Sequence, residues 1–302
     1  VSSAKSRPPL FCVGYAAHSL YRNLRSASSD DTLKGRAFAE KLWETYQPYA
    51  DSNFLTEIRR DFHARFWEMY LTCALLEMTA QYARVLPPPK PRKGGPDVLL
   101  EANGKRIWIE AVTVTDGDPT KPNSVVKPTL GRVSSVPHEE IVLRYTNAID
   151  TKHRKYLEYR SKGLVAREDS YIVAINDFPL SYLTELRPPL IVSAVYPIGR
   201  LKVEIDEKTA EIVETGHQPR WKIAKKNGPV ATCGFLSDQY QGISGLLHSW
   251  ANVKMSASPL GTDFLIVRNA LASQPLGDVF ADLTQYMANP VQGGYALVRS
   301  EP

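Results

Sequence analysis

Apolar residues recur at helical spacing in three stretches of the chain and as short unbroken runs elsewhere, and this alternation sets the expected order of elements. The segment RAFAEKLWETYQPYA (36–50) reads as helical, preceded by a polar SASSDD loop in which Asp30 or Asp31 serves as N-cap. A stronger helix is expected from Leu55 to Tyr82. Phe62, Phe66, Met69, Cys73, Leu76 and Ala80 form one stripe there, and Leu71, Leu75 and Met78 a second. A helix apolar on two sides belongs between layers. The run PPPKPRKGG (87–95) cannot continue it and reads as a loop. From Gly95 to Val112, two apolar runs flank Asn103-Gly104, a strong short-range signal for a β-hairpin. Residues 138–162 then read as a helix stopped by Gly163. YIVAIN (171–176) and LIVSAVY (190–196) have the continuous apolar character of buried strands. LKVEI, PVATCGF and DFLIVRN are further strand candidates, with one helix around GISGLLHSWANV.

Helix, hairpin, helix and buried strand in this order predict an α/β fold with a mixed central sheet flanked by helices. No linker interrupts the chain, so a single α/β domain over 1–302 is expected. It divides into an N-terminal helical extension (1–56), a core (57–196) and a β-rich C-terminal extension (197–302). Hydrophobic residues at 43% and charged residues at 23% are ordinary for a globular protein. No apolar run approaches the roughly 18 residues of a membrane span, so no membrane partner is expected. The first twenty residues, with Pro8, Pro9 and His18, do not read as a signal peptide. Three scattered cysteines give neither a disulfide framework nor a CxxC pair, which points to a reducing, cytoplasmic setting. A net charge of +5 is compatible with a phosphate-backbone partner. Glycine-rich phosphate loops and HExxH are absent, and Gly242-Ile243-Ser244-Gly245 lacks the spacing of a nucleophile elbow.

The hairpin carries the chemistry. With a two-residue turn at Asn103-Gly104, Ala102 faces Lys105, Glu101 faces Arg106, and Asp97 comes opposite Glu110. Opposed residues on one face have Cβ atoms about 4.5–5.5 Å apart, close enough for two carboxylates to repel. Glu101 with Arg106 makes a compensated pair; Asp97 with Glu110 lacks a counter-charge. Ile107, Ile109 and Ala111 occupy one face of the second strand, while Trp108 and Glu110 share the other with Asp97. A divalent cation would supply the missing charge, and oxygen-only ligands favour Mg²⁺ (or Mn²⁺).

Gly95-Pro96-Asp97, the hairpin, and then Ile109-Glu110-Ala111-Val112 resemble the PD-(D/E)XK superfamily of nucleases with a restriction-endonuclease-like core. The resemblance covers residues 57–196, with a short strand at Tyr82–Leu86 filling the place before the hairpin. It implies that Asp97 and Glu110 bind the metal together with the backbone carbonyl of Ala111, and that the protein is a metal-dependent nuclease acting on DNA. The superfamily's usual lysine lies two residues after the second acid, where this chain has Val112. The following helix is the place to seek a displaced lysine. There Tyr145, Ile149, Lys152 and Tyr156 recur at helical spacing, which selects Lys152 first and Lys155 second. Lys152 and Tyr156 also keep the spacing of the Gln-x-x-x-Tyr element of some superfamily members, with the Gln replaced. On the first long helix, Glu68 is the candidate for an acidic group near the metal, ahead of Glu77. Lys155, Tyr156, Arg144 and the KPRK loop with Lys93 are the expected contacts to nucleic acid. Val112 also leaves open a rival reading, a catalytically inactive nuclease-like fold that binds nucleic acid or a protein.

Overall fold

The computed structural model describes residues 8–87, 94–129, 131–133, 135–180, 182, 187–225, 227–254, 257–292 and 294–301. Among these, the helices α1 (Ser19–Arg25), α2 (Asp30–Tyr46), α3 (Phe54–Glu57) and α4 (Phe62–Met78) precede β1 (Ala83–Leu86), β2 (Val98–Ala102) and β3 (Lys105–Thr113). The helix α5 (His138–Ser161) and β4 (Ser170–Asn176) follow. The last third holds β5 (Ile198–Ile205), β6 (Ile212–Pro219), β7 (Lys222–Ile223), β8 (Val230–Ala231), β9 (Gly245–Ser249), β10 (Leu265–Arg268), β11 (Thr284–Val291) and β12 (Gly294–Ser300).

Asn103 and Gly104 both take positive φ, 52° and 74°, the tight turn that closes β2 on β3. Its register is the expected one, Ala102 beside Lys105 and Glu101 beside Arg106, out to Val98 beside Ile109. The alternation of β3 then sends its side chains into two separate cores. Ile107, Ile109 and Ala111 pack with α1, α2 and α4 on one face of the sheet. Trp108 packs with α5 on the other. The predicted two-sided helix is accordingly sandwiched: Trp67 of α4 lies fully buried and its indole N–H donates to the carbonyl of Ala174 in β4 (3.0 Å).

Eight strands form one mixed sheet in the order β1-β2-β3-β4-β9-β10-β11-β12. β3, β4 and β9 run parallel at its middle, and α5 is the crossover from β3 to β4. Residues beyond 196 thus supply four of these eight strands. β5 with β6 and β7 with β8 form two small separate sheets. No helix of the described residues is long and apolar enough to cross a membrane.

Several local expectations are corrected. The N-cap of α2 is Ser29, which makes a reciprocal capping box with Thr32, so Asp30 and Asp31 fall in the first turn, where they complement the helix dipole. The helix expected over Leu55–Tyr82 is broken: α3 ends at Glu57, and α4 starts afresh after Asp61, whose carboxylate caps the Ala64 N–H (3.1 Å). LIVSAVY is buried but is no strand. After Pro188-Pro189 it turns into a 3₁₀ helix at Val192–Ala194, with the Val192 N–H bonded to the Pro189 carbonyl (2.9 Å). The helix expected around GISGLLHSWANV is strand β9, because Leu246 and Leu247 are buried on opposite faces between β4 and β10. Only Val230–Ala231 of PVATCGF is a strand. Arg106 is not held by Glu101: its guanidinium grips the buried Asp169 (3.0 and 2.9 Å), which also accepts from the Trp108 indole (2.8 Å).

At the C-terminal ends of β4 and β9, Asp177 ties three elements together. Its Oδ2 accepts from the Tyr145 hydroxyl of α5 and lies 2.9 Å from Nε2 of His248 in β9. Burial works against the Asp177 charge, but the His248 imidazole and the two hydrogen bonds outweigh it and hold the carboxyl below the ordinary range. A depressed folded-state value means stability that is present above the unfolded value and lost as pH falls through the folded one. Asp177→Asn is therefore expected to cost about 2 kcal/mol at neutral pH in denaturant unfolding. The gap to wild type should close as pH falls below about 4. An Asn variant as stable as wild type at pH 7 would contradict this role.

Candidate active site

Glu110 lies in β3, flanked on either side by β2 and β4, and is 1% exposed. A carboxylate so placed needs a cation and hydrogen bonds to remain charged. α5 supplies them from one face, since positions three and four apart stack along a helix. The Lys152 ammonium donates to Glu110 Oε1 (2.7 Å), the Lys155 ammonium to the same oxygen (3.1 Å), and the Tyr159 hydroxyl to Oε2 (3.3 Å). Lys152 is nearly enclosed, its side chain 12% exposed, while Lys155 is about half exposed. Burial opposes the charge on Lys155, yet the Glu110 carboxylate raises its ammonium above the ordinary range.

Asp97 stands just outside the regular ladder, in the bend that leads into β2. Its N–H still donates to the Ile109 carbonyl (3.1 Å), and its Oδ2 accepts from the Ala111 N–H (2.7 Å). That second bond orients the carboxylate toward the last residues of β3. Burial raises the Asp97 carboxyl well above its ordinary range, and the negative charges of Glu110 and Glu68 add to the effect. Lys152 and the Ala111 N–H pull the other way without cancelling it.

Glu68 of α4 reaches the same place from the other side. Its carboxylate pairs with Arg65 (2.7 Å), and the same guanidinium bonds Asp51 (3.2 Å). Burial pushes the Glu68 carboxyl up to about 7, with Arg65 and Lys152 opposing. The groups converge on an open cavity of about 620 Å³, lined by Asp51, Arg65, Glu68, Asp97, Glu110, Ala111, Lys152, Lys155 and Tyr159 together with Tyr46 and Tyr49.

Asp97, Glu110, Ala111, Glu68, Lys152 and Lys155 are thus brought to one cavity. Lys155, the second choice for the displaced lysine, shares the oxygen bound by Lys152. Tyr156 does not line the cavity: its ring packs against Tyr171 (4.9 Å between centroids), and a side chain at Gly242 would collide with it. Arg144 does not line this cavity; its Nε donates to the Thr115 carbonyl (2.8 Å) and its guanidinium lies against Gly117. Lys93 lies outside the described residues. Arg65 and Asp51 were not singled out from sequence. Asp51 could not have been, because only the fold of the α2–α3 connection brings it here.

The carboxylates that could hold a cation are those of Asp97 and of Glu110, the latter only if Lys152 and Lys155 give way, with Glu68 behind them. Among the described residues no group of three or more His, Cys, Asp and Glu is arranged to hold a metal ion. A Mg²⁺ ion takes one or two protein carboxylates and keeps several waters, so Asp97 and Glu110 are the residues that could hold one. The negative charges of Glu110 and Glu68, which add to burial in raising Asp97, are what such an ion would offset. Comparison with family profiles, curated proteins and solved structures finds no match to this chain.

A raised carboxyl has its own signature in the metal-free protein. The folded state holds the Glu68 proton up to about pH 7, whereas the unfolded chain releases it near the ordinary value. Stability is therefore expected to fall as pH rises from about 4.5 to 7, by about 3 kcal/mol, and Glu68→Gln should flatten that fall. Unfolding titrations in EDTA across this range check it. Equal slopes for the two proteins would show that Glu68 is not the group responsible.

Proposed function

We propose that this chain is a metal-dependent phosphodiesterase that cleaves DNA, with a PD-(D/E)XK-like arrangement of Asp97, Glu110 and a lysine displaced to α5. The observation that carries the reading is the convergence of Lys152 on Glu110 (2.7 Å), beside Asp97. Val112 leaves the strand without the lysine expected there, and α5 delivers an ammonium to the same carboxylate from another element. The mixed sheet with α4 on one face and α5 on the other accords with the proposed restriction-endonuclease-like core.

Asp97, Glu110 and the Ala111 carbonyl would hold one Mg²⁺ (or Mn²⁺), with Glu68 in support, and that ion would acidify a bound water and draw charge from the scissile phosphate. Glu110 arrives with its negative charge matched by two ammonium groups. When its carboxylate turns to other partners, Lys152 and Lys155 are left cationic at the mouth of the cavity. An ammonium there stabilises charge on the phosphoryl oxygens as the bond to the attacking water forms. Lys152, nearly enclosed, is the better placed to orient that water; Lys155, half exposed, is the better placed to hold a neighbouring phosphate. Arg65 fixes Glu68 and Asp51 on the opposite wall.

Cleavage of supercoiled, linear and single-stranded DNA with Mg²⁺ or Mn²⁺ tests the proposal. Wild type is expected to cut. Asp97→Ala should lose at least about 100-fold in rate, and Lys152→Ala a comparable factor, the loss usual for one preorganised charged group. Salt-dependent binding with no cutting of any substrate would instead support the inactive, binding-only fold that Val112 also allows.

A further inference from the structure

A second cavity, about 920 Å³, lies at the other end of α5, between its first turn, residues 187–193 and the β5–β6 hairpin. Its wall carries Arg187, Arg200, Arg220, His138 and His217. Two carboxylates, Glu139 and Glu140, line it as well. Among the described residues none of the three arginines makes an ion pair or a side-chain hydrogen bond, and the buried Nε of Arg220 has no partner. Burial lowers the affinity of His138 for a proton, and the charges of Arg220 and Arg200 lower it further. Positive charge in this cavity therefore outruns what Glu139 and Glu140 neutralise. The N-terminus of α5 opens beside it with Pro137 as N-cap, and no side chain caps its free N–H groups. A buried guanidinium N–H without an acceptor, two further arginines and uncapped amides form a set of donors complementary to a tetrahedral oxyanion.

We propose that this cavity is a second phosphate-binding site, one that takes a backbone phosphate of the nucleic-acid strand whose cleavage is proposed above. The inference rests on that reading for the identity of its ligand. From His138 to Lys152 the helix rises about 21 Å at 1.5 Å per residue. That span equals about six steps of a B-form strand. One rigid helix thus spaces the two sites, Lys152 and Lys155 at the reacting phosphate and the arginine cavity at a distant one. Occupancy of the second site would hold the strand in register without touching the reacting atoms.

The test is equilibrium binding of labelled single-stranded and duplex DNA oligonucleotides in EDTA, read by fluorescence anisotropy over a range of salt, alongside cleavage in Mg²⁺. The variants are Arg187→Ala/Arg200→Ala, both exposed and so safe for folding, and Asp97→Ala as a control at the other site. Titration with inorganic phosphate is run on the same proteins. The double variant is expected to bind at least about tenfold more weakly, and its slope of log affinity against log salt should fall by about one. Asp97→Ala should keep the wild-type salt slope. Equal affinity and slope for the double variant and wild type would overturn the second site while leaving the nuclease reading intact. Weakened binding by the double variant with no cleavage by wild type would uphold the second site and sink the nuclease reading. Inorganic phosphate bound by wild type and lost in the double variant, with no oligonucleotide bound by either, would overturn the strand assignment in favour of a small phosphate ester.

Discussion

Glu110 buries a carboxylate in the interior of an eight-stranded sheet, and much of the surrounding structure answers that single charge. Its neutralisation fixes the rotational setting of α5, because Lys152, Lys155 and Tyr159 must all face β3 at once. The same setting drives Tyr145 and Ile149 into the core above the sheet and leaves the first turn of the helix beside the arginine-lined cavity. Removing one partner of such a pair is more damaging than never having had it, since a lone buried charge remains. Burying a charged pair here rather than an apolar filler costs desolvation, which the Lys152 and Lys155 ammonium groups and the Tyr159 hydroxyl offset.

The local charges do not balance. Asp97 and Glu68 are both pushed toward protonation, while Glu110 is matched by two ammonium groups. Four acids, Asp51, Glu68, Asp97 and Glu110, against two lysines and Arg65 around one open cavity leave room for an additional positive charge beside Asp97. In the proposed function a divalent ion takes that place, and the lysines then turn from neutralising a protein carboxylate to neutralising a substrate phosphate. The switch needs no movement of backbone, because long lysine side chains can redirect their ammonium groups by rotation alone.

How much of this was legible in the sequence follows the range of the forces involved. The β2–β3 hairpin was legible because Asn103-Gly104 selects its turn and alternation selects its register. The two acids and Lys152 could be named because they sit on elements whose periodicity is strong. Lys155 is the second choice in the sequence for the displaced lysine, and it reaches Glu110 while staying about half exposed. Tyr156 and Arg144 are chosen from sequence by residue type, and the fold sets the Tyr156 ring on Tyr171 and the Arg144 Nε on the Thr115 carbonyl, contacts that no local pattern shows. Leu190–Tyr196 and Gly245–Ser249 show the limit of periodicity: a short run buried on every side has none, and only its neighbours decide between strand and turn. Asp51 and Arg65 at the far wall depend on how α2 and α4 pack, which no local pattern encodes.

The account turns on whether the Glu110–Lys152 pair opens to admit a cation. An anomalous-difference map from a crystal soaked in Mn²⁺ addresses this directly. The expected result is a manganese peak bounded by the carboxylates of Asp97 and Glu110, with the Lys152 ammonium displaced from Glu110 Oε1. Saturating Mn²⁺ with no peak there, and Lys152 still bonded to Glu110, would contradict it.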